Sequence, residues 1–268
     1  MQPGQPESPV LSLPCRYYRV YTDPEVPCDE CNFHYVERAL PVPVAQAALV
    51  LVDVWNTHYI DNWLQRAAEV TRTRIVPLLE AARRVGMAVI HGPCPQVAER
   101  YSPAPPPAPS APAASSEWPP AGFRSIYRAG EYAAFGRDDE PRLRAALERY
   151  VTELDIAPPA RPLPGEPVIH TGAQMHALLA ERKILHLFYA GFATNWCVIG
   201  RDYGIIRMNE RGYNIILVRD ATTGIEFHDT VDTLQATAMT VREIETKYAW
   251  STTTEAFVAA CAQTPSAV

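Results

Sequence analysis

AALVLV, residues Ala47 to Val52, is an unbroken apolar run that ends on Asp53. A strand with one wet face alternates apolar and polar residues, so a run without a polar position fits a parallel strand covered by helices on both faces. Outward from it, apolar Leu64, Ala68, Ile75, Leu78, Leu79 and Ala82 recur at helical spacing between Trp63 and Arg84, and Gly86 stops the pattern. Met87 to Ile90 supplies the next strand. A helix near Glu140–Glu153 precedes Pro167–Ile169 as strand, Gln174–Arg182 as helix and Ile184–Ala190 as strand. A helix from Asn195 to Arg211, stopped by Gly212, leads to a strand over Asn214–Val218, a helix near Thr230–Glu245 and a short strand near Tyr248–Ser251. This alternation predicts an α/β fold, a single doubly wound, mostly parallel sheet of about six strands with helices on both faces.

Two segments stand outside the alternation. Residues 1–46 are Pro-rich and expected to form an irregular N-terminal arm, leaving 47–268 as the domain. Ser102–Gly122, rich in Pro, Ala and Ser, can continue neither a helix nor a central strand, and is an insertion suited to a lid. The 268 residues, 47% of them hydrophobic, suffice for one core. A net charge of -6 argues against nucleic acid as a partner, because phosphate-binding surfaces concentrate Lys and Arg. Met1–Leu13 lacks a basic region followed by an apolar run, and no stretch reaches the roughly 18 apolar residues of a membrane span. The expectation is a soluble, cytoplasmic protein with no membrane partner. Cys28, Cys31 and His34, with Cys15 upstream, gather possible zinc ligands, but a second ligand pair with proper spacing is missing, so no metal is assigned.

Ligands of such sheets bind beyond the carboxyl ends of the strands. The residues there are Asp53, His91, His170, the turn from Gly191 to Cys197, and Asp220. Cys197 falls in the first turn of a helix, with Thr194 or Asn195 available as N-cap. There the unpaired N–H groups and helix dipole favour a thiolate and can hold an oxyanion. A lone helical cysteine is more often an inert small hydrophobe, so the surrounding residues decide. Trp55, His58 and Trp196 flank Asp53 and Cys197 and form either a substrate-binding wall or, for the tryptophans, core packing. His91 lines the pocket or caps its strand, Cys94 is a bystander, and Glu226 and His228 are further pocket candidates.

GFATNWCV, Gly191 to Val198, together with LVLVDVWN, Leu49 to Asn56, resembles the isochorismatase-like cysteine hydrolase family. That family includes nicotinamidases, N-carbamoylsarcosine and ureidoacrylate amidohydrolases, biuret hydrolases and isochorismatases. The likeness runs from about Ala47 to about Ala259, interrupted by the insertion. It implies Cys197 as nucleophile, Asp53 as acid/base partner, a cis Phe192–Ala193 peptide, and the N–H groups of Ala193 and Cys197 as oxyanion hole. It further implies cysteine-dependent hydrolysis of a C–N bond in a small amide, carbamoyl or ureido compound through a thioester, without a cofactor, by a homo-oligomer (dimer or tetramer). Isochorismatase-type members commonly lack the cysteine, so its presence favours amide over vinyl-ether cleavage. The other alternative, a catalytically silent binding or assembly member, gives no physical need for Cys197 facing Asp53. The D-x-H metal motif of nicotinamidases is missing, which disfavours zinc and nicotinamide. Asp220, in VRDATTG, matches a recurring family position with a structural role. The family's third catalytic residue is a lysine, but only Lys183 and Lys247 occur, neither well placed. The family lysine lies just beyond the third strand, where this chain has His170; His170 is therefore expected to pair with Asp53 as a cation, with Arg128 as rival.

Overall fold

The computed structural model describes residues 9–101, 118–124 and 126–264. Within them the chain runs β1 (Val10–Arg19), β2 (His34–Pro43), β3 (Ala47–Val52), α1 (Asp61–Val70), α2 (Val76–Arg84), β4 (Ala88–Gly92) and α3 (Pro95–Tyr101). It continues with α4 (Pro141–Glu153), α5 (Gly172–Arg182), β5 (His186–Phe192), α6 (Ile205–Glu210), β6 (Asn214–Thr223), α7 (Gln235–Lys247), β7 (Trp250–Thr252) and α8 (Thr254–Ala262). The strands make one seven-stranded sheet, ordered β2-β1-β7-β6-β5-β3-β4. From β7 to β4 every pairing is parallel, and the β1–β2 hairpin joins β7 antiparallel.

Strand β3 is buried along its whole length, as its unbroken apolar sequence requires. Ala47, Leu49 and Leu51 pack with Trp63 of α1, Leu78 and Leu79 of α2, and Phe257 of α8. Ala48, Val50 and Val52 meet Met175 and Leu179 of α5, Met208 of α6, and Ile244 of α7 on the other face. Each of the buried Val, Leu, Ile, Phe and Met side chains contributes about 1.5–3 kcal/mol by leaving water, so the two helical layers and the sheet hold each other. No helix among the described residues is long and apolar enough to cross a membrane.

The structure departs from the sequence expectation in four places. The N-terminal segment is ordered rather than irregular: Leu11, Leu13 and Cys15 are buried and alternate with exposed Val10, Ser12 and Pro14. Its period of two outweighs the prolines, and Pro41 and Pro43 are tolerated because β2 is the sheet edge. Pro167–Ile169 shrinks to a single bridge between Val168 and His91, since Pro167 has no N–H to donate. The helix over Trp63–Arg84 contains a π-helical turn, Thr71–Ile75, just before Pro77, where the missing N–H breaks the regular ladder. The helix expected over Asn195–Arg211 splits into a π-helical turn, Thr194–Val198, and α6. Most of the Pro-rich insertion expected over 102–122 lies outside the described residues.

Candidate active site

Asp53 directly follows β3 in the left-handed region, with φ 45, and donates its N–H to Gly92 O at 3.0 Å. A non-glycine residue holds that conformation only when its surroundings enforce it. The neighbouring strand presses close here: a Cβ on Gly191, whose φ is 114, would lie 2.1 Å from Val52 O. The Asp53 side chain is 1% exposed. Its Oδ2 accepts from Arg201 Nη2 at 2.7 Å and Nε at 3.1 Å, while Oδ1 is buried without a hydrogen-bond partner. Burial pushes the Asp53 carboxyl above its ordinary pKa; Arg201, the Cys197 thiol and the Trp55 indole oppose that rise without cancelling it. The Trp55 N–H helps only through proximity, because it makes no hydrogen bond of good geometry.

Cys197 sits in the π-helical turn Thr194–Val198, which begins after the cis Phe192–Ala193 peptide. Neither Thr194 nor Asn195 caps the turn. The Thr194 hydroxyl meets that of Thr222 at 2.7 Å. Asn195 Nδ2 donates to Ile225 O at 2.8 Å and its Oδ1 accepts the Ile225 N–H at 2.9 Å, tying the turn to the segment after β6. Burial, followed by the negative Asp53, pushes the Cys197 thiol up to about 12, with Arg201 and the Ala193 backbone opposing. The direction is opposite to that expected of a thiolate at a helix terminus: the field of one short turn is outweighed by desolvation and a facing carboxylate.

The cation at Asp53 is Arg201, not His170. Arg201 follows Cys197 by four residues and donates its N–H to Cys197 O at 3.1 Å, which brings both side chains to one face. Its neighbours are fixed: Asp202 Oδ2 accepts the Gly172 N–H at 2.6 Å, and the Tyr203 hydroxyl lies 3.0 Å from both Gly92 O and Pro93 O. His170 lies two residues before α5, donates its backbone N–H to Gln174 Oε1 at 2.9 Å, and is not among the residues lining the cavity. Arg128 is turned to its own loop, donating to Phe123 O and Phe135 O at 3.0 and 2.7 Å. Lys183 is an exposed helix cap, and Lys247 pairs with Glu243.

Asp53, Ala193 and Cys197 line a cavity of about 300 Å³. Trp55, His58 and Trp196 line it as well, together with Tyr59, Trp63 and Tyr150. His58 stacks near Tyr59 and Trp63, at centroid distances of 4.5 and 4.2 Å, and its Nδ1 accepts the Ile60 N–H at 3.2 Å. Burial lowers the His58 imidazole to about 4, so it is neutral near pH 7. His91 takes the strand-end role: its buried Nε2 lies 2.8 Å from Glu166 Oε2, outside the cavity lining. Cys94, expected as a bystander, does line the cavity. Glu226 accepts the N–H groups of Ala236 and Thr237 at 2.9 Å each and so holds the start of α7, whereas His228 is exposed. Asp220 accepts from Thr254 N and Oγ1 at 2.8 and 3.1 Å, joining β6 to α8. Cys28 and Cys31 are exposed, and among the described residues no cluster of three or more His, Cys, Asp or Glu is placed to hold a metal.

Sequence reasoning missed Arg201 and the contribution of α4, which brings Leu147, Tyr150 and Leu154 to the cavity. The signal for Arg201 was its spacing of four from Cys197 on a helical segment; α4 carried none, because it follows the insertion far from both candidate residues.

A family model described as the isochorismatase domain matches residues 47–256. No curated protein matches the chain. Among solved structures, a cysteine hydrolase from Pseudomonas syringae pv. phaseolicola is similar with TM-score 0.54 and 16% identity, covering 84% of this chain and 96% of that one. An isochorismatase from Pseudomonas putida gives TM-score 0.48 and 20% identity over 79% and 90% of the two chains. N-carbamoylsarcosine amidase from Thermoplasma acidophilum gives 0.41 and 16% over 78% and 97%. At these identities only the first likeness bears on the argument, and it bears on fold.

Proposed function

This chain belongs to the isochorismatase-domain family, and from that premise we propose that it is a cysteine hydrolase cleaving the C–N bond of a small amide, carbamoyl or ureido compound. The observation that carries this reading is one cavity lined by a thiol, Cys197, and a buried carboxylate, Asp53, whose second oxygen is clamped by Arg201. The thiol holds its proton near pH 7, so proton transfer must accompany attack. Asp53 takes that proton, its unpartnered Oδ1 being the free acceptor, as Cys197 Sγ bonds to the carbonyl carbon. The N–H groups of Ala193 and Cys197 stabilise the oxyanion. Asp53 then passes its proton to the leaving nitrogen, the C–N bond breaks, and a thioester and an amine result. In the second half Asp53 takes a proton from water, the hydroxide attacks the thioester, and the thiol leaves with that proton. Arg201 donates no proton in this scheme, because a guanidinium keeps its charge; it opposes the burial of Asp53 and holds the carboxylate ionised.

The test is ammonia release from a panel of small amides and ureas by the wild type and by Cys197→Ala. Turnover by the wild type with none by the folded alanine variant is expected. Undiminished turnover by Cys197→Ala would remove the nucleophile and the reading with it.

A further inference from the structure

A cleft of about 330 Å³ opens where the N-terminal hairpin joins the sheet, lined by Arg16, Glu37, Arg38 and Arg219 together with Cys15. Its place follows from the strand pairing. β1 meets β7 at one position, Arg16 opposite Ser251, and the next contact is already a side-chain one, from Thr252 Oγ1 to Pro14 O at 2.8 Å. Beyond it Thr253, the N-cap of α8, and Ala256 in its first turn border the cleft. Arg16, Glu37 and Arg38 come from the hairpin, which precedes the isochorismatase domain, and Arg219 comes from β6. Among the described residues, this lining shares no member with that of the Asp53 and Cys197 cavity.

Three arginines on one cleft run against the chain's net charge of -6. Arg16 Nε pairs with the buried Glu245 at 2.8 Å. Arg219 is partly buried and donates from Nη1 to a neutral partner, Ser251 Oγ, at 3.2 Å, while Arg38 is exposed. Among the described residues neither Arg38 nor Arg219 is in an ion pair, and Glu37 is the one carboxylate lining the cleft. Burial, and after it the charge of Arg16, press the Arg219 guanidinium below its ordinary pKa. Burial also pushes the Cys15 thiol up to about 12, so Cys15 adds no negative charge near pH 7. Guanidiniums gathered in this way repel one another, and an anion between them replaces repulsion by attraction. We propose that the cleft is a second ligand site, separate from the hydrolase cavity, that takes a small phosphate monoester. Each guanidinium presents a planar fork that matches two oxygens. A carboxylate offers two oxygens and one charge, whereas a phosphate monoester offers three terminal oxygens and a charge of about −1.5 to −2 at neutral pH. The first turn of α8 adds the positive end of a helix dipole. A cleft of this volume stands at the lower end of the range for small-molecule pockets, which suits a phosphoryl group on a short alcohol.

Isothermal titration with glycerol 3-phosphate tests the site, at constant ionic strength because salt screens exposed ionic contacts. The wild type should bind with a Kd of about 1 mM or tighter, and its Tm should rise with ligand concentration. Arg219→Gln and Arg38→Glu should each weaken binding at least about tenfold. Arg38 is exposed on an edge strand, so Arg38→Glu keeps the fold whatever Arg219→Gln does to it. Cys197→Ala should bind as the wild type does, since Cys197 lines the other cavity. Malonate, with two carboxylates in place of the phosphoryl group, should bind at least about threefold more weakly. A wild-type Kd weaker than about 1 mM, or undiminished binding in Arg38→Glu, overturns the site. Loss of binding in Cys197→Ala would move the anion to the hydrolase cavity and overturn it as well. Malonate bound as tightly as glycerol 3-phosphate overturns the assignment to a phosphoryl group.

Discussion

Asp53 and Glu166 are both carboxylates gripped by an arginine, and their surroundings push them in opposite directions. Glu166 has both oxygens occupied: Oε1 accepts from Arg83 Nε at 2.7 Å, while Oε2 meets Arg83 Nη2 at 2.9 Å, His91 Nε2 at 2.8 Å and the Leu163 N–H at 2.9 Å. Burial pushes its carboxyl up, but those partners together hold it down at about 2. Asp53 has both Arg201 contacts on one oxygen and none on the other, and there burial wins. A saturated carboxylate fastens the structure, here pinning the 161–168 segment to α2 and β4. A half-saturated one in a cavity keeps a lone pair available for a proton.

The largest expected effect separates the two directly. Asp53→Asn should lower kcat/KM by about 10²–10⁴, the worth of a positioned acid–base group, without a matching fall in Tm. Glu166→Gln should do the opposite, costing about 1–3 kcal/mol of stability through the partly unpaired Arg83 and leaving kcat/KM within about threefold. Steady-state kinetics and thermal melts on the two variants check this. A stability loss for the first and a kinetic loss for the second would dissolve the contrast.

Arg201→Met sharpens the Asp53 side. Asp53 must be ionised to accept the thiol proton, so activity falls as pH drops through its carboxyl pKa. Removing the guanidinium raises that pKa further, and the acid limb of the pH–rate profile should move up by about 1–3 pH units. Arg201→Lys should restore most of the position. An acid limb that stays in place in Arg201→Met would show that the arginine does not hold the carboxylate ionised.

Glu166 answers to pH through stability instead. Its folded pKa, about 2, lies below the ordinary carboxylate value of 4.5, so its contribution is present above about 4.5 and is lost as pH falls toward 2. The difference in denaturation midpoint between wild type and Glu166→Gln should therefore be constant above pH 5 and shrink below it. A difference independent of pH across that window would mean that the charge of Glu166 does not hold the segment.

The sheet was legible because AALVLV is apolar without interruption and buried along its whole length, and the strands beside it are mostly apolar. The N-terminal hairpin was hidden by its prolines; the cost of Pro41 and Pro43 vanishes because β2 is an edge strand, a position sequence does not reveal. Asp53 and Cys197 were legible from strand ends and a turn motif. Arg201 was not, because the search for a cation followed the strand ends, while the residue arrives from the helical segment after Cys197. The thiol's raised pKa was likewise out of reach, since it depends on how deeply the turn is buried and on which side chain faces it.

The smallest expected effect falls where the sequence pointed to the missing cation. His170 follows the short segment bridged to β4, just beyond the carboxyl edge, which is where a partner for Asp53 was sought. Its backbone N–H is bound to Gln174 Oε1, inside the capping box that Thr171 and Gln174 make at the start of α5. Asp53 already carries Arg201 on Oδ2, and His170 is absent from the residues lining the cavity. A group that neither reaches the carboxylate nor borders the reacting atoms has no path to the 10²–10⁴ of an acid–base residue. His170→Ala should accordingly leave kcat/KM within about threefold of wild type and leave the acid limb of the pH–rate profile unmoved. A loss beyond about tenfold, or an acid limb displaced in the way expected for Arg201→Met, would mean that a second cation acts on Asp53 during turnover.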